Sequence, residues 1–346
     1  MIEQVEYRQV PEGPCGRVAK QTDLQHFREI GGPLKVWSWL RPIDYFFADQ
    51  LEDFDIVHVC AATNGNHRIV AASKAAGCNV VLSTVMDAPF NRWLRLTAEF
   101  SERLVGRLTG WEVHTSQLQL QSALRNADGL IALSRVQRDP PISGYQIPED
   151  RVSIIPNGIA PRFISADPAS LGDTYDFPRP WVVCVAPVSE YKNQLGLIEA
   201  LKDTRIHAVL AGEAPDTQRH YLARCLADPF RASNVGLLDY YGEFLPALYA
   251  AADACVLISQ REVMSLSILE ALAADSPSVV TKWHSLDLPE RDSVIKFVDP
   301  SDPAAVTGLL KGAAAIPPGT RADTVRQFSW AIVGAEIMSL YQELLA

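Results

Sequence analysis

No stretch of the chain approaches the roughly 18–20 consecutive apolar residues that a helix needs to cross a bilayer. The opening Met1-Ile2-Glu3-Gln4 lacks the basic and then apolar order of a secretory leader, so the expected location is the cytoplasm. Cysteine pairs are missing too. The six cysteines (Cys15, Cys60, Cys78, Cys184, Cys225 and Cys255) form no C-x-x-C unit, and several sit in apolar runs such as Val182-Val183-Cys184-Val185. Reduced, buried thiols are expected, and no Cys or His pair has the spacing of a zinc site. Basic residues are scarce: 31 Lys and Arg face 41 Asp and Glu, a formal charge of −10. That balance argues against a nucleic-acid partner, whose binding rests on neutralising phosphates. It leaves room for a small basic pocket. Internal repeats and low-complexity tracts are also absent.

What is present is a 346-residue chain in which 48% of residues are hydrophobic, enough to fill folded cores. At about 150 residues per domain, the length suggests two domains. Charge divides unevenly. Residues 1–165 hold 17 basic and 18 acidic side chains, whereas 166–346 hold 14 and 23. Short apolar runs predict strands at 2–10, 34–39, 55–60, 79–84, 129–134 and 152–155, then at 181–186, 208–211, 235–241, 254–259, 278–281 and 295–298. Helical patterns fall between them at 17–30, 67–76, 193–201, 245–252 and 267–274. Several strands are continuously apolar, as strands covered on both faces of a parallel sheet should be. The expected class is α/β, with two Rossmann-like domains and right-handed crossovers.

Asp167, Pro168, Gly172, Asp173, Asp176, Pro178 and Pro180 mark a linker, which sets domains at 1–165 and 166–325. Within 326–346, a last helix over 329–345 has an apolar stripe at Val333, Ile337, Leu340, Tyr341 and Leu344. That stripe needs a partner surface, and a return to the first domain would supply one. Ligands of open α/β sheets bind at the carboxyl ends of strands, so the expected site is the cleft between two such domains.

The chemistry-bearing run is Glu262-Val-Met-Ser-Leu-Ser-Ile-Leu-Glu270-Ala-Leu-Ala. The first glutamate follows a strand and the second lies on the next helix. Between them a helix begins, and its first N–H groups and positive dipole end suit a phosphate. A carboxylate on each side of that seat fits a ligand with hydroxyls flanking a phosphate, which is the shape of a nucleotide-sugar. Two solvated glutamates beside an ordinary helix are the plain alternative.

This E-x7-E run, the following Ala-Leu-Ala-Ala-Asp-Ser-Pro-Ser-Val-Val and the turn Ile154-Ile155-Pro156-Asn157-Gly158-Ile159 resemble those of retaining glycosyltransferases of family 4, which have the GT-B fold. Further similar segments are Asp55-Ile-Val-His58, Ala127-Asp128-Gly-Leu-Ile-Ala-Leu-Ser134, Lys192-Asn193 with Leu197-Ile198-Glu-Ala200, Gly242 with Leu248-Tyr249-Ala-Ala-Ala-Asp253, and Phe328-Ser329-Trp330. They span 55–345; the first 50 residues match poorly. The resemblance implies two Rossmann-like domains facing a central cleft, an acceptor half and a donor half. It implies sugar transfer from a nucleotide-sugar to a saccharide, lipid-linked or small-molecule acceptor, with retention and without a metal or other cofactor. Glu270 would accept bonds from the ribose. Glu262 would orient the donor sugar. Backbone groups at Met264, Ser265, Leu266 and Ser267 would hold the diphosphate, and Lys192 would neutralise it as it leaves.

Three departures stand out. An expected Gly-Arg after the first strand of the C-terminal half reads Ala186-Pro187, and Arg261 is the substitute cation beside Glu262. A family histidine near the sugar is replaced by Met86 in Thr84-Val85-Met86-Asp87, which leaves Asp87 as a catalytic candidate. Glycines between the two glutamates are replaced by Val263 and Ser265. Gly13-Pro14-Cys15-Gly16-Arg17 offers a turn whose Gly16 and Arg17 would face the diphosphate. His58, His67 and Asn64 are the acceptor-side candidates, with a structural histidine as the other reading of His58.

Asp53-Phe54-Asp55 reads as D-x-D but precedes a buried strand, so it is taken as a strand start rather than a metal motif. Trp93, Leu96, Phe100, Leu104, Leu108 and Trp111 make a stripe flanked by four arginines within 90–111. That pattern suits peripheral contact with the inner membrane face, and the plain alternative is a core-facing helix packed beside the acceptor cleft. Rival readings are a degenerate binder of a nucleotide or partner, a nucleotide-sugar epimerase and a membrane-surface scaffold.

Overall fold

The computed structural model describes residues 51, 54–60, 62, 66–84, 116–235, 244–288 and 291–346. Outside them lie the strands expected at 2–10 and 34–39, the helix at 17–30, Gly16, Arg17, Asn64, Met86, Asp87 and the 90–111 stripe. The described residues form two compact units. One runs to Pro156 and adds Val333–Ala346; the other is Asn157–Ile332.

The first unit holds a parallel sheet in the order β1-β2-β3-β4: β1 (Ile56–Cys60), β2 (Asn79–Ser83), β3 (Gly129–Ala132) and β4 (Val152–Ile154). Helices α1 (His67–Ala75) and α2 (Ser116–Asn126) cross between strands. Val80, Leu82, Leu124 and Leu130 form the centre of its core. The final helix, α8 (Trp330–Leu345), lays Leu340 and Leu344 against Gly129, where an added Cβ would sit 3.2 Å from a Leu344 methyl.

The second unit contains a six-stranded parallel sheet. Its strands are β5 (Trp181–Val185), β6 (His207–Ala211), β7 (Ala232–Val235), β8 (Ala254–Leu257), β9 (Ser278–Thr281) and β10 (Lys296–Val298). The interleaved helices include α3 (Gln194–Leu201), α4 (Arg219–Cys225), α5 (Phe244–Ala251), α6 (Leu266–Ala273) and α7 (Val306–Ala314). β5, β6 and β8 are buried at every position, which their mostly apolar content permits; the one polar member, His207, has its ring nitrogens bonded to the Phe230 carbonyl and the Ser233 hydroxyl. The order is β10-β9-β8-β5-β6-β7. From β5 the chain winds outward to β7, then returns to the other side of β5 and winds to β10. The reversal lies between β5 and β8, the place where open α/β sheets bind ligands at the carboxyl ends of their strands.

Three expectations need correction. The linker at 163–180 is packed rather than free: Tyr175 lies on Phe244 at 4.7 Å, Phe177 on Trp181 at 5.1 Å and Phe163 on Tyr249 at 6.1 Å. The two units divide after Pro156. The strand expected to begin at 235 is already under way at Ala232, and residues 236–241 lie outside the described residues. Its Ser233 and Asn234 are tolerated because β7 is the sheet edge. Finally, Cys60 is exposed at the end of β1, whereas Cys78, Cys184, Cys225 and Cys255 are buried and free.

The turn after Pro156 fixes the start of the second unit. Ile159 donates to the Phe328 carbonyl at 2.7 Å, and Trp330 donates back to Ile159 at 3.3 Å. Gly158 sits under the Trp330 ring, 2.2 Å from where its Cβ would be. Gly158→Ala is expected to cost about 1–3 kcal/mol by overpacking. Trimming the ring in Gly158→Ala/Trp330→Leu should return part of that loss in denaturant unfolding.

Candidate functional site

Lys192 and Glu262 come from the two strands that flank the reversal. Lys192 ends a short 3-10 turn (Glu190–Lys192) after β5, and Glu262 lies in the loop after β8. Asn193 turns the chain in a left-handed conformation, φ 58°, so that α3 can start. Its side-chain amide reaches the Ile258 carbonyl at 3.4 Å, and Gln260 donates to the Tyr191 carbonyl at 2.9 Å. These bonds lock the two strand ends side by side. Upstream, Gly212 lets β6 close on the first loop: a Cβ there would stand 2.0 Å from the Ala186 carbonyl.

The two side chains meet. Lys192 Nζ donates to Glu262 Oε1 at 2.5 Å, and the Ser259 hydroxyl donates to the same oxygen at 2.5 Å. Glu262 is only 8% exposed. A buried carboxylate needs a cation and hydrogen-bond donors, and these two residues supply them. Both bonds fall on Oε1; among the described residues none falls on Oε2. The Glu262 backbone is clasped as well. Its N–H donates to the Trp283 carbonyl at 2.8 Å and its carbonyl accepts from Ser285 at 3.2 Å.

The expected phosphate seat is the start of α6. Ser265 precedes it in extended backbone (φ −69°, ψ 122°) and makes no side-chain cap bond. The first-turn N–H groups, those of Leu266 and Ser267 among them, have no acceptor within the helix. The preceding loop is pinned by the turn at the start of the unit. Asn157 Nδ2 donates to the Met264 carbonyl at 2.9 Å, and the Asn157 N–H lies 3.4 Å from the Met264 sulfur. Thus the structure joins the two motifs singled out in the sequence. Arg261 sits half-buried next to Glu262. One turn along α6, Glu270 is 5% exposed and accepts from the Tyr249 hydroxyl at 3.3 Å.

Ser259, Tyr249 and Asn157 support these residues as hydrogen-bond donors, yet the sequence reading gave none of them that part. Ser259 carried a faint signal, a hydroxyl three residues before Glu262. His284 was also missed. It pairs with Glu262 in a parallel bridge, its Nδ1 accepts from Leu286 at 2.7 Å, and burial pushes it down to about 4.

The acceptor-side candidates belong to the other unit. His67 opens α1, half-buried. His58 Nε2 meets the Ser83 hydroxyl at 2.8 Å, and Nδ1 meets the Tyr341 hydroxyl of α8 at 2.6 Å. Both ring nitrogens are thus taken up inside the unit, and the histidine ties β1 to the final helix. Burial lowers it from 6.5 to about 4.

Residues 179–311 match the family described as Glycosyl transferases group 1, which is less than half of the chain. Mannosylfructose-phosphate synthase of Agrobacterium fabrum is 28% identical over 175 residues, 45% of this chain and 38% of that protein. The chain therefore matches well under half the length of that relative. Anabaena HepE, solved in complex with UDP-glucose, superposes with a TM-score of 0.65 at 19% identity, covering 88% of this chain and 83% of that one. Sucrose-phosphate synthase from Thermosynechococcus elongatus gives 0.64 at 16% identity, covering 91% and 82%. The fold is of the GT-B type, with two Rossmann-like units.

For His58, a folded-state value below the unfolded one means that the unfolded chain takes the proton first. Stability from this contact is complete above about pH 6.5 and is lost as pH falls toward 4. Over that window, wild type should lose stability more steeply than His58→Gln, by up to about 1.4 kcal/mol per pH unit. Parallel pH series of thermal unfolding would read the difference.

Proposed function

We propose that the protein is a glycosyltransferase that moves a sugar from a nucleotide-sugar to an acceptor hydroxyl with retention of configuration and without a metal. The observation that carries this reading is the Lys192–Glu262 pair at the strand reversal, within the segment similar to group 1 glycosyl transferases. The UDP-glucose complex of HepE supports a nucleotide-sugar as the donor.

In this reading the diphosphate sits at the start of α6, where first-turn N–H groups face it. Lys192 turns from Glu262 toward the diphosphate and stabilises the negative charge that grows as the bond to the sugar breaks. Glu262, still held by Ser259, accepts from a sugar hydroxyl through its other oxygen. Glu270 accepts from the ribose in place of Tyr249. The acceptor hydroxyl attacks on the face from which the diphosphate departs, and a phosphate oxygen takes its proton. The protein supplies position and charge. Cytoplasmic location, family 4 membership and a saccharide, lipid-linked or small-molecule acceptor complete the proposal.

Calorimetry with UDP-glucose tests the assignment. Glu270→Ala should weaken binding more than tenfold, in line with the loss of hydrogen bonds to a charged group. Lys192→Ala should lower kcat by about 10²–10³, the usual cost of one charge-stabilising donor, with a smaller effect on affinity. Unchanged affinity in Glu270→Ala would remove the ribose assignment.

A further inference from the structure

Two exposed aromatic residues border the Lys192–Glu262 pair. Tyr191 is 38% and Trp283 is 49% exposed. Their backbone carbonyls hold the two ends of the loop that carries Glu262: Tyr191 accepts from Gln260, and Trp283 accepts from Glu262 itself. Their rings are placed by cations of the same region. Lys192 Nζ lies 5.8 Å from the centre of the Tyr191 ring, and Lys282 Nζ lies 4.8 Å from the Trp283 ring. Lys282 in turn pairs with Asp299, whose carboxyl it holds down at about 2. The residue after Asp299 returns the path to its start, because the Pro300 carbonyl accepts from Asn193 at 3.5 Å. The contacts make a closed circuit at the carboxyl ends of β5, β8, β9 and β10: Trp283, Glu262, Lys192, Asn193, Pro300, Asp299, Lys282 and back to Trp283.

A ligand that covers an exposed aromatic ring removes apolar surface from water, which favours binding. An exposed ring beside the Lys192 ammonium, and a second on the segment whose backbone binds Glu262, match a ligand with an apolar face and a hydroxyl rim. A pyranose has that form: its C–H face covers an aromatic ring while its hydroxyls reach charged groups at the edge.

We propose that Tyr191 and Trp283 form a contact surface for a hexose ring, either the sugar carried by the nucleotide or that of a saccharide acceptor. This rests on the transferase reading and adds to it the residues that select the sugar. Substitution of either side chain leaves its carbonyl in place, so the loop keeps its backbone bonds.

The test compares wild type, Trp283→Ala, Trp283→Phe and Tyr191→Ala. UDP-glucose and UDP are titrated by calorimetry, and free mono- and disaccharides are read by saturation-transfer NMR. For a donor sugar, Trp283→Ala and Tyr191→Ala weaken UDP-glucose about three- to tenfold, the size of one aromatic contact, and leave UDP unchanged; Trp283→Phe restores most of the loss. For an acceptor sugar, both ligands bind as in wild type, while saccharide saturation is lost in the two alanine variants and kept in Trp283→Phe. Equal weakening of UDP and UDP-glucose would overturn the proposal, as would unchanged UDP-glucose binding together with unchanged saccharide spectra. If wild type binds neither UDP nor UDP-glucose, the donor reading fails, and the saccharide spectra still decide on the aromatic pair.

Discussion

A carboxylate buried to the depth of Glu262 is sustainable only with a cation and a hydrogen-bond donor in contact, because neither water nor distance can relieve it. That constraint organises one whole edge of the second unit. Lys192 must stand next to Glu262, so the loops after β5 and β8 must be adjacent, and the strand order makes them so. Asn193 in its left-handed turn, Gly212 under the Ala186 carbonyl and Asn157 on Met264 each remove a freedom those loops would otherwise have. Removing one partner of a buried pair typically costs about 3–5 kcal/mol, since the other charge is then left alone. The arrangement is therefore both a stability requirement and a charged site set where the sheet reverses.

The departures from the family pattern fit this arrangement. Where an arginine is expected, the chain has Ala186-Pro187, and that loop is occupied with packing: Gln194 donates to the Pro187 carbonyl at 3.0 Å, and Val188 donates to the Glu213 carbonyl at 2.9 Å. Lys192 and Arg261 are the basic side chains beside Glu262 on these loops. Val263 and Ser265 stand where glycines are expected without strain, because neither takes a positive φ and Ser265 is extended. The aromatic residues that border the pair extend the same loops outward, so the charged centre and its rim share one set of backbone bonds.

Much of the fold could be read from apolar runs. The strands at 181–186 and 254–259 were legible because burial on both faces forces near-continuous apolar residues, and the one at 278–281 because Val279 and Val280 sit between small buried hydroxyl residues. Other elements hid. The helix Ser116–Asn126 begins Ser-Gln-Leu-Gln-Leu-Gln, whose period of two imitates a strand. β7 is polar because it lies at an edge. The Pro- and Gly-rich stretch at 163–180 imitated a linker, since turn residues say nothing about whether Tyr175 and Phe177 find partners. In the site, Glu262 and Glu270 were visible through their spacing, and Lys192 through the resemblance of its segment. Ser259, Tyr249 and His284 were not, because a supporting partner is defined by proximity across the sheet, which a linear pattern does not record.

The account turns on the ion pair being a real coupling that a sugar-nucleotide diphosphate can take over. A double-mutant cycle with Lys192→Met and Glu262→Gln, read as unfolding free energy with and without saturating UDP-glucose, measures it directly. The account predicts a coupling above about 1 kcal/mol in the free protein that shrinks when the ligand is bound. Additive effects in the free protein, or a coupling that the ligand leaves untouched, would contradict it.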